Sequence, residues 1–209
     1  MDLVRHPVFA RLYPRIAAAG EAAGAAEHRD ELLAGVTGRV IEVGSGHGIN
    51  FAHYPETVTE VVAIEPEPSL RARAEEAARE APVPVTVIEG TAEQLPGEDE
   101  AFDVAVTSLV LCSVRDADAA LREVRRVLRP GGELRFYEHI RAGQPGFVRY
   151  QKIVNVVWPL IAGGCQLVRA TDVSISAAGF TVEKSRYFRF PAPGVPASPH
   201  VLGLARRAP

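Results

Sequence analysis

An apolar run, Arg39-Val40-Ile41-Glu42-Val43, leads directly into Gly44-Ser45-Gly46-His47-Gly48-Ile49-Asn50. Glycines are needed where a ligand must lie against the backbone, because no Cβ blocks its approach and positive φ is allowed. A second apolar run, Val61-Val62-Ala63-Ile64, ends at Glu65. An acid about twenty residues beyond such a loop, at the end of the next strand, is placed to chelate the two hydroxyls of a ribose. Loop and acid together predict a site for a nucleoside-containing cofactor.

The dinucleotide fingerprint would put its third small residue at position 49, where this chain has Ile49, with Gly48 one place early. No Gly-Lys-Ser/Thr follows, so no phosphate cradle is evident. The Glu-x-Gly-x-Gly-x-Gly form resembles motif I of the class I S-adenosylmethionine (SAM) methyltransferases.

The flanking elements must hold this loop in place. Val8 to Ala34 reads as one or two helices, the first strand as 39–43, and a helix runs from the Pro66-Glu67-Pro68-Ser69 entrance to about Ala81. Strands follow at 82–88, with an irregular start, 102–107 and 133–138, with an amphipathic helix from Asp116 to Leu128 carrying Leu121, Val124 and Leu128 on one face. Thr171 to Ala178 reads as a helix. Phe180 to Phe190 and His200 to Ala205 read as strands separated by a Pro-rich connector. Alternating strands and helices predict an α/β chain with a mostly parallel sheet, and with the motif I resemblance this implies a Rossmann-like class I methyltransferase fold. Its sheet is seven-stranded and mostly parallel, with an antiparallel C-terminal hairpin and helices on both faces. Ligands on such sheets bind beyond the carboxyl ends of the strands.

The chain has 209 residues, 47% of them hydrophobic, and a net charge of −3. One domain is expected over residues 1–209, with residues 1–35 as a helical cap and 140–170 as a substrate-covering insertion. No basic excess suggests nucleic acid. Cys112 and Cys165 are the only cysteines, too few for a disulfide framework or a Cys-x-x-Cys zinc pair. No stretch approaches the roughly twenty apolar residues of a membrane span, and no signal core opens the chain. A cytoplasmic protein is expected.

Further motifs carry a closer resemblance. Gly90-Thr91-Ala92-Glu93-Gln94-Leu95-Pro96, the Phe102-Asp103 strand and the segment from Leu121 to Gly132 are similar to the middle of the methyltransferase type 11 group. Leu109-Val110-Leu111-Cys112-Ser113-Val114, Glu138-His139, Gly164-Cys165-Gln166-Leu167-Val168-Arg169 and Ser198-Pro199-His200-Val201-Leu202-Gly203 resemble the methyltransferase-like 7, or alkyl-thiol S-methyltransferase, family and its bacterial relatives. The chain departs from that pattern in two places. It lacks the hydrophobic N-terminal targeting segment of the animal proteins, and Thr91 stands where the broader group often has an Asp that receives the adenine amino group.

The resemblance implies roles at named positions. Glu42, Gly44, Ser45 and Gly46 would face the methionine end of SAM, with Glu42 near its ammonium or sulfonium or else capping the loop. Asn50, in a helix after the loop, would contact the methionine part or cap and pack. Glu65 would accept both ribose hydroxyls. Pro66 would lie by the adenine ring, Thr91 and Ala92 along its edge, and Thr107 would offer a carbonyl to the ammonium. Ser108, Leu109 and Cys112 would lie near the reacting methyl.

His139, after the fifth strand, is placed for a substrate or base contact or to order the next loop. His6, His28 and His53 read as surface residues, His47 as a loop residue near ligand, and His200 as structural. No ligand spacing supports a metal site from Cys112, His139, Cys165 and His200, and none is expected. The apolar stretch Gln151 to Ile161 reads as a lid over an apolar acceptor or as plain core packing.

Methyl transfer from a sulfonium is an in-line displacement, served mainly by alignment and exclusion of water. The expected activity is SAM-dependent methylation of a small, rather apolar molecule, a thiol first, with S-adenosylhomocysteine as by-product. Phospholipid-amine or quinone/phenol methylation is the alternative acceptor class, and a nucleoside-binding regulatory module the non-enzyme alternative.

Overall fold

The computed structural model describes residues 6–192 and 195–208. Among these, strands β1 (Gly38–Val43), β2 (Val58–Ile64), β3 (Val85–Ile88), β4 (Phe102–Ser108), β5 (Leu128–His139), β6 (Phe180–Ala192) and β7 (Val195–Arg207) form one sheet in the order β3-β2-β1-β4-β5-β7-β6. Pairings are parallel from β3 through β5, then antiparallel at β5–β7 and β7–β6. The expected sheet and C-terminal hairpin are both present. The strand order reverses between β1 and β4, and the crevice that a parallel sheet leaves at such a point is the standard ligand position.

Residues of β1 from Val40 to Val43 are all buried because both faces are covered. Ile41 and Val43 join Ile64, Leu121, Val124 and Phe136 in one apolar cluster. Val40 points the other way, with Val61, Ala63, Leu32, Leu33 and Phe51. The two-residue period of a strand divides the run between two cores. Helix α1 (Pro7–Gly20) and helix α2 (Ala26–Leu33) are separated by a kink in which Gly24 has φ 102°, a left-handed value that favours glycine. Helix α3 (Pro68–Ala78) starts on the expected proline. Helix α4 (Ala117–Val127) is capped by Asp116, whose side chain accepts the Ala119 N–H at 2.9 Å. Helices α5 (Pro145–Val154), α6 (Trp158–Ile161) and α7 (Thr171–Ala177) complete the chain.

Two local expectations need correcting. No α-helix follows the glycine loop: residues 46–50 form turns, followed by a single 3-10 turn, Phe51–His53. Gly44, Gly46 and Gly48 have φ of 68°, 60° and 82°, and left-handed residues at every second position cannot propagate a right-handed helix. Asn50 therefore sits in a turn. The Pro-rich connector is also smaller than its composition suggests, because β6 runs to Ala192 and β7 starts at Val195. Pro199 is tolerated in β7 because the β5–β7 ladder begins one residue later, at His139 opposite His200. Among the described residues no helix is long and apolar enough to cross a membrane.

Candidate functional site

A cavity of about 390 Å³ lies beyond the carboxyl ends of β1, β2 and β4, within the range of small-molecule sites. Gly44 and Gly46 form one wall, Glu65 and Pro66 a second, Thr91 and Ala92 a third, and Ser108, Leu109 and Cys112 a fourth. His139 and Cys165 also line the cavity. Phe9, Tyr13 and Ile16 of α1 and Trp158 and Ile161 of α6 also line it. The two segments singled out as cap and insertion thus both border the space.

Glu65 is held by backbone. Its Oε2 accepts the Gly46 N–H at 2.8 Å and its Oε1 the Glu67 N–H at 2.9 Å. Each oxygen keeps a lone pair, and the residue lines the cavity. Burial pushes its carboxyl up to about 7, against the opposing pull of those two N–H groups. Gly46 has φ 60°, which strains any L side chain, and an added Cβ would lie a tight 3.0 Å from Tyr13 Cε1.

Four expected contact residues sit behind the cavity wall rather than on it. Glu42 is 1% exposed, and both its oxygens are taken, Oε1 by Asn50 Nδ2 at 2.8 Å and Oε2 by the Tyr54 hydroxyl at 2.7 Å. Burial pushes it up to about 7. Asn50 Oδ1 in turn accepts from Arg29 Nη1 at 2.6 Å, and Arg29 Nε pairs with Glu21 at 2.9 Å. Of the two readings for Glu42 and for Asn50, the contacts found are those of loop capping and packing. Thr107 and Ser45 are buried with unpartnered hydroxyls.

Arg29, 4% exposed, was not visible as a site-supporting residue, because an Arg in an Ala/Glu-rich helix looks like a solvated position. The histidines also shift. His6 lines the cavity, and His28 packs against Phe188 with ring centroids 4.4 Å apart. His47 meets the Tyr13 ring edge-on at 5.3 Å. His53 pairs at the surface with Asp30 at 2.7 Å. His200 is a buried structural residue within β7, its Nδ1 2.9 Å from the Ser198 carbonyl oxygen.

The turn after β4 is shaped by Glu138. Its carboxylate accepts the N–H groups of Val110 and Leu111 at 3.1 and 3.0 Å on Oε1, and of Cys112 at 3.2 Å on Oε2. Leu109 adopts φ 61° there, a conformation costing a non-glycine residue about 1–3 kcal/mol that the surroundings must impose. The segment containing Cys165 docks on the same turn, with the Gln166 N–H donating to Cys112 O at 2.8 Å and Arg169 Nη1 donating to Val114 O at 2.9 Å.

These contacts bring three residues together that lie far apart in sequence. Cys112 Sγ and Cys165 Sγ are 3.6 Å apart, and His139 Nδ1 is 3.7 Å from the first and 3.6 Å from the second. The paired sulfur and the imidazole hold the Cys165 thiol well below its ordinary range, outweighing burial. Contact with Cys165 and burial raise Cys112. Burial pulls His139 down, but the negative Cys165 beside it leaves the imidazole raised. Spacing alone sets aside a grouping of Cys165 with Cys112 and His139, because its partners come from β5 and the β4 turn and only the docked segment creates the proximity.

A mostly parallel seven-stranded sheet with a glycine turn after β1 and a buried acid after β2 defines a Rossmann-like methyltransferase. The methyltransferase domain family matches residues 41–136. Human thiol S-methyltransferase TMT1A is 33% identical over 181 residues, covering 83% of this chain and 73% of the relative. Human thiol S-methyltransferase TMT1B is 34% identical over 182 residues, with the same two coverages of 83% and 73%. A SAM-dependent methyltransferase from Thermotoga maritima superposes with a TM-score of 0.70 at 22% identity, over 96% of this chain and 98% of that one. The chain belongs to the SAM-dependent methyltransferase family, in the group that contains the TMT1 proteins.

Proposed function

We propose that this methyltransferase moves the methyl group of SAM to the sulfur of a small, rather apolar thiol, releasing S-adenosylhomocysteine and a thioether. The observation that carries the reading is that the Glu65 carboxylate and the Cys112–His139–Cys165 cluster open on one cavity. A nucleoside anchor and a sulfur- and nitrogen-rich cluster on the same cavity suit a sulfonium donor and a thiol acceptor. The naming of the TMT1 relatives as thiol S-methyltransferases favours the same acceptor.

The chain's residues fit SAM, which supplies an electrophilic methyl on a positively charged sulfur. Glu65 has a spare lone pair on each oxygen for a ribose diol. Gly44, Ser45 and Gly46 bring backbone close to the methionine end, while Glu42, Asn50 and Thr107 support that wall from behind. Pro66, Thr91 and Ala92 border the adenine, and Ser108, Leu109 and Cys112 border the methyl. His139 is assigned as the catalytic residue at the acceptor end, acting together with the two cysteines it touches. Ile16, Trp158 and Ile161 exclude water and contact the apolar part of the acceptor. Methyl transfer then depends chiefly on alignment of the two sulfurs with the carbon between them. The close approach of two free thiols suits a reducing compartment, the cytoplasm.

The test is labelled-methyl transfer from SAM to a panel of thiols, amines, phenols and lipids, with products identified by mass. Methylated thiols are expected. Reaction of amines or phenols with no thiol product overturns the sulfur assignment and leaves the methyltransferase standing.

A further inference from the structure

We infer that Cys112, His139 and Cys165 form a site for one zinc-class divalent cation whose fourth position opens on the cavity and takes the acceptor sulfur. The part concerning the acceptor rests on the proposed thiol methylation; the cation site does not.

The geometry is that of three corners of a tetrahedron. With metal–sulfur bonds of ~2.3 Å and metal–nitrogen bonds of ~2.05 Å, tetrahedral angles put sulfurs ~3.75 Å apart and sulfur and nitrogen ~3.55 Å apart. The observed edges are 3.6 Å between sulfurs and 3.6 and 3.7 Å from sulfur to His139 Nδ1. The donor set is soft, two thiols and an imidazole, which selects zinc over magnesium or calcium.

The surroundings hold each ligand in place. Glu138 fixes the Cys112 backbone, and the Gln166 N–H ties the Cys165 segment to Cys112 O. His139 lies in the β5–β7 ladder, and the Thr171 hydroxyl donates to its carbonyl at 3.3 Å. Ser113 Oγ lies 3.6 Å from Cys112 Sγ, within reach to hydrogen-bond a coordinating sulfur.

His200 does not complete the set. Its ring centroid lies 4.2 Å from that of His139, but among the described residues only the ligand atoms of Cys112, His139 and Cys165 lie within 4.8 Å of one another. Three protein ligands with one open place is the pattern of a catalytic rather than a structural zinc. All three ligands line the cavity that Glu65 also faces.

The chemistry balances without an oxidant. An acceptor thiol displaces water from the cation and releases its proton to solvent, since a coordinating thiol is deprotonated outright. Two cysteine thiolates, one acceptor thiolate and a doubly charged cation leave a net negative centre, which keeps the acceptor sulfur nucleophilic. Its lone pair forms the new carbon–sulfur bond, and the pair of the broken bond stays on the sulfonium sulfur. Anion and cation become two neutral thioethers, and water retakes the fourth place.

The test uses the full chain, purified anaerobically, reduced, stripped with a chelator and titrated with Zn²⁺ or Co²⁺. One ion per chain by elemental analysis is expected, with the thiolate-to-cobalt charge-transfer band and intense d–d bands of a tetrahedral ion. Adding a small thiol should shift the d–d bands. Cys112→Ser and Cys165→Ser should each weaken binding by more than about 100-fold, beyond the loss of an outer-shell partner, with circular dichroism confirming that they fold. Absence of stoichiometric binding to the folded wild-type chain overturns the site and leaves thiol methylation untouched. Binding with a spectrum indifferent to a thiol that the enzyme methylates overturns the acceptor position. Binding in a chain that methylates no thiol upholds the cation site and overturns the proposed function.

Discussion

The backbone N–H of Gly46 donates to Glu65 Oε2 at 2.8 Å, so the turn after β1 and the acid after β2 form a single rigid corner. A ligand reaching this corner meets glycine backbone and an oriented carboxylate together.

Glu65→Ala should weaken binding of SAM and S-adenosylhomocysteine by roughly 1.5–3 kcal/mol, about 10- to 150-fold, because charge-assisted hydrogen bonds to the ribose are lost. Isothermal calorimetry measures this directly, and unchanged affinity would remove Glu65 from the ribose contact.

Affinity for SAM should also depend on pH. The Glu65 carboxyl is pushed up to about 7 in the free protein, and ribose hydroxyls donate to the ionised form. Binding therefore releases a proton below that value. Affinity should rise as pH increases toward 7 and level off above it. Glu65→Gln should flatten the profile, and a wild-type profile flat from mildly acidic to mildly basic pH contradicts the prediction.

Tyr54→Phe removes the hydroxyl that donates to Glu42 Oε2 at 2.7 Å inside the core. Leaving that buried oxygen unpaired should cost about 1–3 kcal/mol, and the melting temperature should fall by a few degrees for a chain of this size. Thermal or urea unfolding without cofactor reads the effect; no loss of stability would mean that water replaces the hydroxyl.

His139→Ala should lower thiol methylation by about 10²–10⁴ while SAM affinity changes little, because the Glu65 carboxylate takes its hydrogen bonds from Gly46 and Glu67 and none from the imidazole. Steady-state turnover together with a separate SAM titration distinguishes this from general damage. Full turnover in the variant would take His139 out of the chemistry.

The glycine turn and the acid after β2 were legible in the sequence because their signals are local. Gly44, Gly46 and Gly48 mark backbone that turns left-handed, Glu65 follows directly on an apolar strand, and the regular alternation of strands and helices implies a mostly parallel sheet. Burial periodicity also predicted α4 and its Asp116 entrance closely. Composition misled at the Pro-rich stretch before His200, which is strand because one neighbouring strand ends there and makes no demand on the missing proline N–H. The same local reading put Asn50 in a helix, where the three left-handed glycines allow only turns.

The Cys112–His139–Cys165 cluster depended on tertiary structure. Cys112, His139 and Cys165 stand in three separate motifs with no ligand spacing between them, and no sequence period links a turn after β4, the end of β5 and a segment beyond α6. Their proximity arises because the Glu138 carboxylate shapes the first of these segments and hydrogen bonds from Gln166 and Arg169 dock the third upon it. Arg29 was hidden for the same reason: whether a helical Arg is solvated or buried is decided by what packs over it, here Asn50 and Glu21. Chain order encodes the turns and strands directly, while contacts between distant segments exist only once the sheet has brought their ends to one side.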